Sequence, residues 1–177
     1  MTSIYIPSSV RSVPDGTFEG CSLRNVVFGA GVTAIEDFAF YEDSHLTQAL
    51  FLGNAPTVIQ TGDQPPFGGC PVTVYYLPGT TGWSNTFGQT IYFNDGAPTA
   101  VWNPVLQTTD GNFGVRSNRF GFNITGGSNL PVAILACTNI GNPVWTPLMN
   151  VTLTNGSYYF SEPLQTNTPR FYGLGFP

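Results

Sequence analysis

The chain repeats itself at a nearly fixed interval, and this self-similarity limits what its first half can fold into. Ile4, Ile6, Val10, Val13 and Phe18 recur as Val26, Phe28, Val32, Ile35 and Phe40, each 22 positions further on. A unit of that length, a short strand, a turn and a partly helical segment, has one apolar face and no second layer to bury it against. Copies must therefore stack into a solenoid. Within a strand the side chains alternate, so Ile4 and Ile6 point inward and Tyr5 outward. The second unit opens at Leu23 and closes through Ile35, Phe38, Ala39 and Phe40. A third opens at Leu46, 23 positions after Leu23, and carries Ala49 and Phe51 into the columns of Val26 and Phe28.

After Phe51 the pattern loosens through Gly53-Asn54-Ala55-Pro56, and Phe67 and Cys70 restore the spacing of Phe18 and Cys21. A fourth strand, Val72 to Pro78, is expected to set Tyr75 and Leu77 where Ile4 and Ile6 stand. The inward column then reads Ile6, Phe28, Phe51 and Leu77, and the outward column Tyr5, Val27, Leu50 and Tyr76. Gly79 to Trp83 reads as a closing turn, with Trp83 and Phe87 covering the end of the stack as a terminal unit must. The repeat stack is assigned to residues 1–89 and a Gly/Pro/Asn-rich connection to 90–104. Residues 105–177 change period: short runs at Phe113–Val115, Phe120–Thr125, Val132–Cys137, Val151–Leu153, Tyr158–Phe160 and Phe171–Leu174 are separated by turns such as Asp110-Gly111 and Asn155-Gly156. That spacing predicts a small antiparallel β-sandwich. The expected fold is thus mostly β, a short solenoid followed by a sandwich.

Charge narrows the partners. Only 8% of the 177 residues are charged, against about 25% in an average soluble domain, and the five basic ones are all Arg. With ten acids the formal net charge is -5, and no basic patch can be assembled for nucleic acid or an anionic membrane. No apolar run reaches the length of a membrane-spanning helix, so no membrane insertion is expected, and no signal peptide opens the chain. The register would place the first unit's Leu at Met1, so the chain reads as a mature piece of something longer, with its export signal and earlier repeats lying outside it. Cys21, Cys70 and Cys137 lack metal-binding spacing and read as buried, unpaired thiols. The low charge and abundant Thr, Asn and Gly lean towards an extracellular setting.

Residues with catalytic potential are sparse. The single His, His45, sits in the turn Glu42-Asp43-Ser44-His45 without a nucleophile or metal ligands at fixed spacing, and turn residues are polar for backbone reasons. Glu36-Asp37 and Glu42-Asp43 are adjacent pairs, whereas glycoside hydrolysis needs carboxylates facing each other across a bond; a structural role at a turn start is expected. Gly29-Ala30-Gly31 lacks the rest of a dinucleotide motif and reads as a repeat turn. Asp110-Gly111-Asn112 lacks the further acids of a calcium loop and reads as a hairpin turn. No catalytic residue, metal site or cofactor is expected. The outward column Tyr5, Val27, Leu50 and Tyr76 is the candidate ligand-binding surface, since a solenoid offers a sheet face to partners. Trp83, Trp102 and Trp145 have the ring faces to stack on sugars, though core or capping roles compete for each.

Ile4-Tyr5-Ile6-Pro7, Val10, Val13, Phe18 and Cys21, followed by Leu23, Val26, Phe28, Val32, Ile35, Ala39 and Phe40, resemble the BspA-like class of bacterial leucine-rich repeats over residues 1–78. Thr17 replaces the usual small Ala, and Asp43 stands where the second Cys would be. The C-terminal part, with Trp145 after Cys137-Thr138-Asn139 and with Tyr159-Phe160-Ser161-Glu162-Pro163 and Arg170-Phe171-Tyr172, resembles a β-sandwich at the C-termini of secreted proteins from Verrucomicrobia-like bacteria. That family usually ends Phe-Tyr-Arg-Leu, and Gly173 replaces the Arg here. The repeat resemblance implies a secreted or cell-surface protein, non-enzymatic, serving adhesion or binding an extracellular protein or glycan. The alternative is a carbohydrate-binding accessory module of a polysaccharide-degrading protein.

Overall fold

The computed structural model describes residues 2–60, 64–89, 96–164 and 168–177. The chain divides into two compact units, Met1–Trp102 and Asn103–Pro177. The described residues form strands and turns and no helix, so none of them forms a helix long and apolar enough to cross a membrane.

The first unit contains β1 (Ser3–Ile6), β2 (Ser12–Val13), β3 (Asn25–Phe28), β4 (Ala34–Glu36), β5 (Gln48–Phe51), β6 (Thr57–Ile59), β7 (Thr73–Tyr76), β8 (Thr86–Phe87) and β9 (Ala97–Val101). One parallel sheet runs β1-β3-β5-β7-β9, with β8 antiparallel on β9, and a second parallel sheet runs β2-β4-β6. Ile6, Phe28, Phe51, Tyr76 and Val101 stand in line through the larger sheet, at offsets of 22, 23, 25 and 25. The stack therefore follows the predicted register to β5 and departs from it at β7. Tyr76, not Leu77, continues the inward column. The third unit is longer, and a one-residue slip exchanges the two faces of a strand. Burial decides between the registers: Val72 and Val74 are buried at 3% and 0% exposure, and the Tyr76 ring stacks on Trp83 at 4.9 Å. The segment read as a connection, 90–104, carries β9 as a further parallel strand on β7 in its described part, while 90–95 and Met1 lie outside the described residues.

The third side of each coil was expected to be partly helical, and it consists of turns. Phe38 and Glu42 adopt φ of 57°, a left-handed conformation that interrupts a helix. Some amides of this side close turns within their own coil, and others reach the next coil. Phe18 N–H donates to the Ala39 carbonyl at 2.8 Å, Phe40 to Pro66 at 2.8 Å, and Glu42 to Gly68 at 2.8 Å. This ladder carries a column of rings: Phe18 stacks on Phe40 at 5.0 Å and Phe40 on Phe67 at 5.2 Å. Opposite, Phe28 lies flat on Phe51 at 4.1 Å. Trp83 and Phe87 pack on Phe51 at 5.1 and 5.5 Å, and the stack runs on past this turn through β9. Coils approach so closely at the Gly29-Ala30-Gly31 turn that a Cβ on Gly31 would stand 1.9 Å from the Ser8 carbonyl oxygen.

The second unit contains β10 (Val105–Leu106), β11 (Gly114–Arg116), β12 (Arg119–Thr125), β13 (Leu130–Cys137), β14 (Thr146–Leu153), β15 (Ser157–Pro163) and β16 (Phe171–Gly175). These match the predicted runs, apart from their ends and the added β10. They form two antiparallel sheets. In one, β15 lies along the whole of β12, and β10 and β11 pair with the two ends of its other edge. In the other, β13 is flanked by β14 and β16, with an irregularity between Ile134 and Leu135. Phe122 of the first sheet meets Tyr172 of the second at 5.3 Å and its own neighbour Phe160 at 5.1 Å. Ile124, Val132, Ile134 and Leu153 are fully buried with them. Asp110 makes a turn, though not a hairpin, since the flanking β10 and β11 both pair with β12: its side chain accepts from the Asn112 amide at 3.0 Å, and its other oxygen holds the Asn123 amide group at 2.8 Å.

Candidate functional site

The outward face of the larger sheet aligns Tyr5, Val27, Leu50, Tyr75 and Ala100. Three of the four predicted surface residues share this column. Tyr76 does not; it lies in the inward column, for the reason of register given above. The column is also unevenly exposed. Tyr5 is 57% exposed and Val27 half-buried, whereas Leu50 and Tyr75 retain 3% and 7%. Burial raises the Tyr75 hydroxyl pKa, against a hydrogen bond from Thr73 that lowers it. Strand alternation told which side chains share a face but not which part of that face is open.

The open part adjoins an apolar recess of about 250 Å3 at the first coil, lined by Ile4, Tyr5, Pro7, Val10 and Phe18 among others. It exists because β1 and β2 are the edge strands of their sheets, leaving the first layer of core side chains covered from one side only. Ile4, Val10 and Phe18 are partly exposed there, while Ile6 and Val13 of the same coil are buried.

The polar residues singled out for chemistry are dispersed. His45 is exposed, with its Nδ1 3.4 Å from the Ser44 hydroxyl. Asp43 and Asp37 are fully buried rather than solvated. One Asp43 oxygen accepts from the Leu23 amide at 3.1 Å, and the other has no hydrogen-bond partner among the described residues. Burial holds the Asp43 carboxyl above its ordinary range, opposed by the Leu23 amide and the charge of His45. Asp43 occupies the turn position that Cys21 and Cys70 occupy in the neighbouring coils: the three amides donate to Phe40, Phe18 and Phe67 at 3.3, 3.2 and 3.1 Å. The Cys70 thiol donates to the Phe40 carbonyl at 2.9 Å, and burial pushes its pKa up to about 11. All three cysteines are free thiols, but only Cys137 is buried as expected; Cys70 is partly buried and Cys21, at the turn of the first coil, is exposed. Among the described residues no three His, Cys, Asp or Glu side chains converge as a metal site would require.

The second unit holds a feature that sequence reasoning missed. A recess of about 320 Å3 is lined by Phe113, Phe120, Trp145, Phe171 and Tyr172, with Arg170 on its wall. Phe113, Trp145 and Phe171 are exposed at its rim. Arg170 Nη1 donates to both Glu162 oxygens at 2.8 and 2.7 Å, and the Tyr172 hydroxyl donates to Glu162 Oε1 at 2.5 Å. Burial, reinforced by Glu162, raises the Tyr172 pKa, while Arg170 opposes the shift. Trp145 alone was weighed for this role from the sequence. The signal lay in aromatic residues from 113 to 172 that only antiparallel pairing brings together.

Residues 1–76 match the family model described as BspA type Leucine rich repeat region (6 copies). Repeats of this kind are typically found in bacterial surface or secreted proteins, and they generally serve as non-enzymatic surfaces for binding other proteins. No curated protein and no solved structure matches the chain.

Proposed function

We propose that the protein is a non-enzymatic, secreted or cell-surface bacterial protein that binds an extracellular protein through the first coils of its repeat stack. The observation that carries this reading is Tyr5, exposed on the outward sheet face and bordering the apolar recess of the first coil. A large amphipathic ring next to uncovered apolar surface is the composition of an interface centre. The effective surface is Tyr5 with Val27, narrower than a column running the length of the sheet. The two antiparallel sheets of the second unit are read as a small sandwich of the secreted type that the C-terminal sequence resembles. Screening the chain against a panel of purified extracellular matrix and cell-surface proteins tests the reading. Binding that falls about tenfold or more in Tyr5→Ser supports it; a binder indifferent to Tyr5→Ser and to Val27→Ser contradicts it.

A second reading, a carbohydrate-binding accessory module, is favoured by a separate observation: three exposed aromatic or indole rings gathered at one recess of the second unit.

A further inference from the structure

Resting on that second reading and independent of the repeat surface, we propose that the recess of the second unit holds one pyranose ring of a neutral glycan. Trp145 and Phe113 are its ring platforms and Arg170 its hydrogen-bond donor. A pyranose presents an apolar C–H face and a rim of hydroxyls, so it needs an aromatic face and fixed polar groups at the edge of the same cavity. Both are present. The recess is lined mainly by rings, and its volume of about 320 Å3 lies at the small end of ligand pockets.

The Arg170 wall supplies the polar edge. Glu162 engages only Nη1, and Nε and Nη2 make no hydrogen bond among the described residues. Among the described residues the guanidinium is thus fixed by one nitrogen and no acceptor takes up the others, and the exposed Thr108 is also on the lining. The ion pair cancels the Arg170 charge, and the chain carries a net -5, so an acidic sugar gains nothing here and meets a repulsive field. A lipid chain would leave the free donors of Arg170 unpaired, a cost a sugar hydroxyl removes.

Trp145 is seated by a particular residue. Its six-membered ring lies over Gly173, with Cζ3 and Cη2 3.2 and 3.3 Å from where a Cβ would stand. A Cβ at 173 would crowd the indole, which must give by a few tenths of an ångström for the smallest side chain and further for a branched one. An Arg there, as in the resembled family, would bring its Cβ against the indole, so Gly173 is a positioning residue for the platform.

The test is calorimetric titration of the whole chain with maltopentaose, cellopentaose, mannopentaose and chitopentaose, with trigalacturonate as the acidic probe. At least one neutral sugar should bind. Its affinity should fall about tenfold or more in Trp145→Ala, in Phe113→Ser and in Gly173→Val, with circular dichroism unchanged, and stay constant in Ile59→Ser. Phe113→Ser alters an exposed ring and guards against a folding defect in the other two. Binding of none of the neutral sugars overturns both the proposal and the carbohydrate reading. A neutral sugar that binds all three variants as tightly as the parent overturns the proposed site alone. Preference for trigalacturonate, or displacement of a fluorescent apolar probe by laurate where no sugar binds, overturns the neutral-glycan assignment.

Discussion

In the first unit Phe28 lies flat on Phe51, 3° from coplanar, while in the second Phe122 meets Phe160 at 39°. The difference comes from strand direction. Parallel coils at a near-constant offset put like residues side by side, so rings stack face to face down a column and each layer resembles the next. Antiparallel strands bring together residues with no common position in a repeat, and their rings meet at whatever angle fills the space. A repeat stack is thus written in the sequence as periodicity and leaves the core of its first coil covered from one side only, whereas the second unit is written as pairs that no period announces.

The comparison breaks first at the stacked rings. Phe28→Ala removes a fully buried ring that touches Phe40, Phe51 and Phe67, and it should cost about 3–5 kcal/mol in denaturant unfolding; a loss below about 1 kcal/mol would show that the column does not hold the coils together. Next come the thiols. Cys70, raised from the ordinary 9.0 to about 11, has about a hundredfold less thiolate near neutral pH. It should react with a maleimide far more slowly than exposed Cys21, and equal rates would place Cys70 outside the coil. Because its folded pKa is raised, its contribution to stability is complete below 9.0 and is lost as pH rises through about 11.

Glycines sharpen the contrast further. Gly31→Ala forces a Cβ onto the Ser8 carbonyl of the neighbouring coil and should cost about 1–3 kcal/mol, while Gly127 in the second unit has open space around it, and Gly127→Ala should stay within about 0.5 kcal/mol. Matching values from thermal melts would remove the argument from close stacking. The smallest effect concerns Asp43. Its raised pKa means that its contribution is present below the ordinary 3.8 and lost as pH rises through the folded value. Asp43→Asn keeps an acceptor for the Leu23 amide and removes the charge, so it should gain on the parent chain as pH rises from about 3 to 7; a gain in the opposite direction would mean that the carboxylate is stabilised where it stands.

The sequence made the stack legible through β5 because the same spacing of apolar residues occurs twice, with offsets that the pairing of Ile6, Phe28 and Phe51 reproduces. It misled at β7. Pro78 matched Pro7, and Tyr75 and Leu77 offered as good an alternation as Val74 and Tyr76; the burial of Val74 and the packing of Trp83 on Tyr76 distinguish them. The helical segment was misjudged because turns that bond sideways to the next coil use the same residues as a first helical turn, and the left-handed φ at Phe38 and Glu42 is not encoded by glycine. Of the candidate site, the common face of Tyr5, Val27 and Leu50 was legible from alternation. The burial of Leu50 was not, because it depends on what lies over the sheet. The aromatic recess was out of reach, since Phe113, Trp145 and Arg170 are neighbours only after the two antiparallel sheets of the second unit have formed and packed.

The register of β5 against β7 is the claim on which the two faces of the stack depend, and a cross-link measures it directly. In a chain with its three cysteines changed to Ser, Gln48→Cys is combined with Thr73→Cys in one variant and with Val74→Cys in another. Residues paired across adjacent strands lie about 4.8 Å apart, within the Cα range of about 4.4–6.8 Å that a disulfide tolerates. Gln48 pairs with Thr73, and the register read from the sequence would pair it with Val74. Mild oxidation should close the Gln48→Cys, Thr73→Cys pair and leave the other reduced; rapid closure of the Gln48→Cys, Val74→Cys pair alone would return Tyr76 to the outer face and contradict the stack described here.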